Sequence, residues 1–282
     1  MPAHLTPLIV AVVVGAGALH ATWNAIAKQV DDRLMAFAWI GIASTLGGGL
    51  WLVATGLPYR AAIGFAIASA IIHVGYDVGL MTSYRLGAFN QTYPIARGTS
   101  PLIVAVGAYF LASERLSGPA LLGVVTLAVG LMSLALSGGR LSRQDLPAVG
   151  AAALTGLTIA AYTVVDGLGV RRAHDPWAYV ALLFLLLGPP MTVAALARRP
   201  ASAWRDASTA ARGLLAGVLC VVAYGIVLWA QTRAPLAEVA AIRETSVVFA
   251  ALIGVAAFGE SFGRRRVAAA AVIATGIVLI SL

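Results

Sequence analysis

Arg97-Gly-Thr-Ser-Pro101 recurs in this chain as Arg243-Glu-Thr-Ser-Val247, and the recurrence decides how the rest is read. The two copies lie 243 − 97 = 146 residues apart. The same offset, without a gap, carries Glu114 onto Glu260, Ala128 onto Ala274, Gly130 onto Gly276 and Leu136 onto Leu282. One register held from Arg97 to the last residue is the mark of an internal repeat. Both arginines sit inside long apolar runs. A charge there is expensive and calls for a partner, a water-filled cavity or an anionic ligand.

Of 282 residues, 60% are hydrophobic and 11% are charged. Soluble domains carry roughly 25% charged residues. The apolar residues fall in runs of the length, about 20 residues, that spans a bilayer as a helix. A net charge of +8 does not point to nucleic acid, because the arginines cluster in short gaps between apolar runs, where they set topology. Cys220 is the only cysteine, which excludes an intrachain disulfide and a thiolate metal cluster. The first apolar run lacks a basic leader and ends on His20, Trp23 and Asn24, so it reads as a mature helix.

Ten spans are expected, at residues 5–27, 34–56, 61–84, 88–111, 117–137, 146–169, 176–197, 211–232, 235–258 and 264–282. Strand-like alternation is absent, and a backbone in lipid must satisfy its own hydrogen bonds, so the fold class is an all-α membrane protein. The repeat divides it into two five-helix halves, residues 1–138 and 146–282. Five is odd, so the second half enters the membrane inverted, as in many secondary transporters. Side A, the face carrying the loops after the odd-numbered spans, holds most of the arginines, including Arg140, Arg143, Arg198 and Arg199. The positive-inside rule makes side A cytoplasmic and puts both termini outside.

Several spans carry breaks. The double proline of Gly188-Pro-Pro190 predicts a bend, since proline removes a helix hydrogen bond and clashes with the preceding turn. Gly47-Gly-Gly49 predicts close helix contact. Pro94 and Pro101 bracket Arg97 and predict a segment broken on both sides. Arg97 falls about 15 Å along its span, at 1.5 Å per residue, and so close to the midplane.

His73, Tyr76 and Asp77 share one helix face, as do Tyr162 and Asp166, and as do His20, Trp23 and Asn24. Such a face either binds a ligand or proton or holds helices together through hydrogen bonds. Asp77 and Asp166 are the carboxylates well inside spans and so the candidates for proton coupling. Tyr93, Tyr224 and Trp23 are aromatic candidates for contacting substrate, whereas Trp51, Trp177 and Trp204 read as interfacial anchors. Glu238 suits a helix start, where a carboxylate complements the dipole. Glu244 could pair with Arg243 or face across to another helix, which leaves Arg243 divided between an ion pair and ligand binding. Metalloprotease, nucleophile-elbow and phosphate-loop motifs are missing, and no enzyme activity, cofactor or metal is expected.

His20-Ala-Thr-Trp-Asn24, Tyr93-Pro-Ile-Ala-Arg97-Gly-Thr-Ser-Pro101 and the acidic turns Ser113-Glu-Arg-Leu116 and Gly259-Glu-Ser-Phe262 resemble the drug/metabolite transporter superfamily, EamA-type branch. Exporters of aromatic amino acids of the YddG type are the functional model that the likeness suggests. It implies alternating access around a central cavity, export of small metabolites, a multi-pass inner membrane location and both termini in the cytoplasm, opposite to the arginine bias. The expected partners are a small-molecule substrate and the bilayer, with no nucleic acid, and the expected state is a monomer. A zwitterion would set its carboxylate on Arg97 and its amine on Asp77 or an aromatic face. An organic-anion or sugar-phosphate carrier is the alternative in the same class, and an intramembrane enzyme or scaffold the alternative of another.

Overall fold

A computed structural model of the chain describes residues 5–87, 89–136, 142–258 and 263–282. It is 87% helix, with no strand among the described residues. Nine stretches of described residues are long and apolar enough to cross a membrane, and Val267–Ile280 is a shorter apolar helix. The acidic turn at Gly259–Phe262, with Glu260, and the loop around Gly138 and Arg140 lie outside the described residues.

The helices are α1 Pro7–Lys28, α2 Arg33–Thr55, α3 Arg60–Leu86, α4 Phe89–Leu111, α5 Gly118–Leu136, α6 Leu146–Arg171, α7 Pro176–Leu187, α8 Pro189–Arg198, α9 Ala207–Gln231, α10 Leu236–Arg243, α11 Ser246–Phe258 and α12 Arg264–Ile280. Local chemistry sets their starts. Thr6 caps α1 through Ile9 N–H, with Pro7 in the first turn, where its missing N–H costs nothing. Asp32 caps α2 and also receives Arg199 from the end of α8, at 2.6 and 3.1 Å, on side A. Arg199, aided by the cap N–H groups, holds the Asp32 carboxyl below the usual carboxylate range. The stability this adds is complete above the unfolded-state value and is lost as pH falls through the lowered one.

Helices of the two halves interleave. α1 packs on α9 and α3 on α6; α4 lies against α5 and α6; α2 lies against α7, α8 and α9; and α5 packs on α12. Small residues make these approaches possible, since lipid supplies no hydrophobic drive between helices. A Cβ on Gly123 would meet the Gly276 carbonyl oxygen at 2.6 Å, and one on Gly130 would meet Ile273 Cγ1 at 2.9 Å, so α5 and α12 run antiparallel. Large apolar side chains such as Leu50, Val53, Phe110 and Leu122 point outward, as expected of a surface solvated by lipid.

The breaks fall differently from the sequence expectation. The chain does break at Gly188, between α7 and α8, as the double proline predicts. The α4 helix, by contrast, runs unbroken from Phe89 to Leu111 with Pro94 and Pro101 inside it. Pro94 sits near the N-terminus, where few backbone bonds are at stake. Each proline removes one bond, and the surrounding turns hold the rest. The break that nothing in the sequence announces is at Glu244–Thr245, between α10 and α11. There the bonding tightens to i→i+3 pairs, Thr245 N–H to Ile242 O and Val247 N–H to Glu244 O. Such a tightened turn inside a span often marks a hinge. Gly17 of α1 packs against it, its missing Cβ leaving room for Thr245 Oγ1.

Of Gly47–Gly49, only Gly48 makes a tight helix contact: its Cβ would lie 2.6 Å from both the Ala181 carbonyl oxygen and the Leu185 nitrogen. Around Gly47 there is open space. Gly48→Ala should therefore destabilise by about 1–3 kcal/mol through overpacking, whereas Gly47→Ala should be neutral. Thermal unfolding of the two variants in detergent checks the contrast.

Candidate functional site: two arginines and one carboxylate

The recurring motif meets itself at the centre of the bundle. Arg97 stands on α4 and Arg243 ends α10, 5% and 4% exposed, with the helix break directly after Arg243. Where the second copy has Glu244, the first has Gly98, where a Cβ would lie 2.7 Å from Met132 Cγ and 3.2 Å from the Ala128 carbonyl oxygen and would force Met132 to shift. The two arginines thus share one acid. Arg97 Nη1 donates to Glu244 Oε1 and Oε2 at 3.2 and 3.3 Å. Arg243 Nη2 reaches Glu244 Oε1 at 3.3 Å.

The two guanidinium groups are unequally satisfied. Arg97 also contacts His20 Nε2 from Nη2 at 2.7 Å and lies 5.3 Å from the Tyr93 ring centroid. Guanidinium nitrogens only donate, so His20 Nε2 must accept, and the ring is neutral with its proton on Nδ1. The Trp23 indole, 3.3 Å from that Nδ1, is also only a donor. Its contact with His20 is therefore an edge-to-face ring contact, with centroids 5.2 Å apart, rather than a hydrogen bond. His20 and Trp23 thus brace Arg97. The Nε of Arg243, by contrast, is buried without a hydrogen-bond partner among the described residues. The hydroxyls of Thr245 and Ser246 at the break, and of Ser100 on α4, are likewise buried and unpartnered.

An aromatic wall stands beside this centre. His73 stacks on Tyr162 with centroids 3.9 Å apart and an interplanar angle of 24°. Tyr76 meets Tyr162 edge-on at 5.8 Å, and Tyr224 meets it edge-on at 6.3 Å. Tyr162 and Tyr224 lie within electrostatic reach of Arg243. The structure therefore gathers Arg97, Arg243, Trp23, Tyr93, His73, Tyr76, Tyr162 and Tyr224 around one region.

The two aspartates differ. Asp166 is fully buried and accepts from the Tyr179 hydroxyl at 2.8 Å and the Tyr224 hydroxyl at 2.6 Å, with Ser69 nearby. His73 in turn rests on Ser69, its Nδ1 being 2.9 Å from the Ser69 carbonyl. Asp166 thus anchors the aromatic wall. Asp77 is half-buried on α3, with no hydrogen bond or ion pair found for it among the described residues. Glu238 lies in the first turn of α10, as the dipole favours. Sequence reasoning did not name His20, Glu244 and Tyr179 as site residues. The i, i+3 spacing of His20 and Trp23 was the available signal for the first. Nothing in the sequence placed Tyr179 against Asp166.

Residues 146–282 match the EamA-like transporter family, which is a family of transporters and not of enzymes. A search of the curated proteins finds no match. Twenty-nine solved chains match. One, titled only as a crystal structure of a protein, superposes with a TM-score of 0.74 over 96% of this chain and 94% of that chain, at 18% identity. At that identity the likeness speaks to the fold alone. The chain is thus a multi-pass membrane protein whose second half, residues 146–282, is an EamA-like transporter domain, consistent with the drug/metabolite transporter superfamily.

Proposed function

We propose that the chain is a secondary transporter of ten spans in two inverted halves, residues 1–138 and 146–282. On this reading it exports amino acids or related zwitterions across a bacterial-type inner membrane by alternating access. The packing supports the inverted arrangement. Exchanging the halves turns the α1–α9 contact into the α6–α3 contact and the α4–α6 contact into that of α10 and α11 with α1. It leaves the α2–α7 and α5–α12 contacts in place. A secondary transporter places its site where the repeats meet, on interrupted helices near mid-membrane.

The observation that carries the substrate reading is the unpartnered Nε of Arg243. Two guanidinium groups bonded to one carboxylate leave one positive charge to be met, and a ligand carboxylate can meet it with a charge-assisted bond. The wall of His73, Tyr76, Tyr162 and Tyr224 then offers ring faces to an amine or a planar side chain. Glu244 already occupies much of the cationic surface, which favours a single carboxylate over the phosphate dianion of a sugar-phosphate carrier. Small cations are disfavoured by the same charge.

Uptake and efflux of labelled amino acids in proteoliposomes test the reading. Flux of an amino acid is expected; exchange of phosphorylated organic anions, without amino-acid flux, would replace it with the alternative carrier. On this reading the order in which the sequence ranks the arginines is reversed. Arg243→Lys should fold and lose about ten- to a hundredfold in affinity for the transported amino acid, the worth of a charged hydrogen bond, because Lys lacks the planar fork. Arg97→Lys should chiefly lower the yield of monodisperse protein, since it weakens the main partner of buried Glu244. Equilibrium binding on purified variants checks both.

Asp77, without a partner among the described residues, is the proposed carrier of a coupled proton. Asp77→Asn should flatten the pH dependence of flux. Asp166→Asn should cost about 1–3 kcal/mol of stability, by setting an amide where hydroxyls donate. An unchanged pH profile in Asp77→Asn, together with flux indifferent to a pH gradient, would make the protein a facilitator.

A further inference from the structure

At side B, the end of the bundle opposite the Asp32–Arg199 pair, one arginine ties together four pieces of chain. Arg171 ends α6. Its Nη1 forms an ion pair with Glu114 Oε1 at 2.6 Å, outside hydrogen-bond geometry, in the connection between α4 and α5. Its Nε donates to the Gln231 carbonyl at 2.7 Å, at the end of α9. Its Nη2 donates to the Ala234 carbonyl at 2.9 Å, just before α10. The second oxygen of Glu114 accepts the Leu236 N–H at 2.7 Å, capping the first turn of α10, which has no side-chain cap of its own. One ion pair thus fixes the start of the short helix that ends on Arg243, and it bridges residues of the first half to residues of the second.

We propose that Arg171 and Glu114 form the latch of a side-B gate that closes this end of the transport path and opens by releasing α10. This rests on the alternating-access reading, which requires a closable barrier at each end. Three features favour a gate over a fixed brace. The held element is only eight residues long and is followed by the break at Glu244–Thr245, so it can swing as a unit. Both amide atoms of Gln231, on the last residue of α9, are buried and unpartnered in the closed arrangement, which offsets part of the latch. A second carboxylate, Glu238, lies close enough to Glu114 for the two to repel when both are ionised. Bonds offset by such costs suit an element that must adopt two states.

The test uses reporter cysteines in full-length protein in lipid nanodiscs, with Cys220 replaced by Ala. Val239→Cys reports the side-B end, from a fully buried position on α10, and Ala152→Cys reports a fully buried position near the side-A end of α6. A membrane-impermeant methanethiosulfonate reagent is the probe. Glu114→Gln keeps an oxygen that can cap α10 but removes the ion pair. It should raise the modification rate at Val239→Cys about tenfold or more, as expected for breaking a buried ion pair, and leave Ala152→Cys unchanged. Arg171→Lys should give a smaller rise. No change at Val239→Cys would make the pair a fixed brace. A rise at both reporters would mean general loosening and would equally overturn the latch. Loss of the latch effect in a protein that still carries flux would leave the transport reading standing.

Discussion

Everything near the middle of this molecule answers to the sharing of one carboxylate by two buried arginines. Glu244 cannot neutralise both Arg97 and Arg243, and neither charge can reach bulk water. The surroundings differ accordingly. Arg97 lies on an unbroken helix and is braced by Glu244, by His20 and by the Tyr93 ring. Arg243 lies at a helix end, bonded once and with Nε unmet. Taking one partner from a buried ion cluster is costly. On the proposed reading, a cluster that begins one partner short keeps its affinity for an anionic solute.

The rest of the fold positions that cluster. Glycines bring α2 against α7 and α5 against α12, and Gly17 brings α1 against the tightened turn that carries Arg243 and Glu244. Asp166 collects Tyr179 and Tyr224 on one carboxylate, and neighbouring Ser69 supports His73. The aromatic wall is therefore held by polar bonds as well as by packing. That is a costly way to hold rings in an apolar medium unless their position matters.

Much of this was legible in the sequence. Run lengths gave the membrane class, and the recurring Arg-x-Thr-Ser, kept in one register, pointed to the residues that meet. His73, Tyr76, Tyr162 and Tyr224 could be chosen because their types and spacing do not suit a lipid-facing surface. What was not legible depends on contacts between distant segments. Pro94 and Pro101 suggested a break that does not form, since a helix can lose single bonds when its neighbouring turns are supported. The break that does form, at Glu244, has no proline or glycine beside it, so tertiary packing rather than local propensity accounts for it. The division of Glu244 between two arginines, and the use of Glu114 to cap α10 from the other half, join residues 147 and 122 positions apart. No local pattern can announce such pairings.

The central claim is that an anionic group of a small solute completes the arginine cluster and is carried through the membrane with it. Counterflow tests it most directly. Proteoliposomes are loaded with an unlabelled amino acid, and the entry of the same labelled amino acid is followed with wild-type protein and with Arg243→Lys. The account predicts that internal substrate accelerates entry through the wild type, and that Arg243→Lys needs a much higher concentration for the same rate. Equal concentration dependence in the two proteins, both folded and monodisperse, would contradict it.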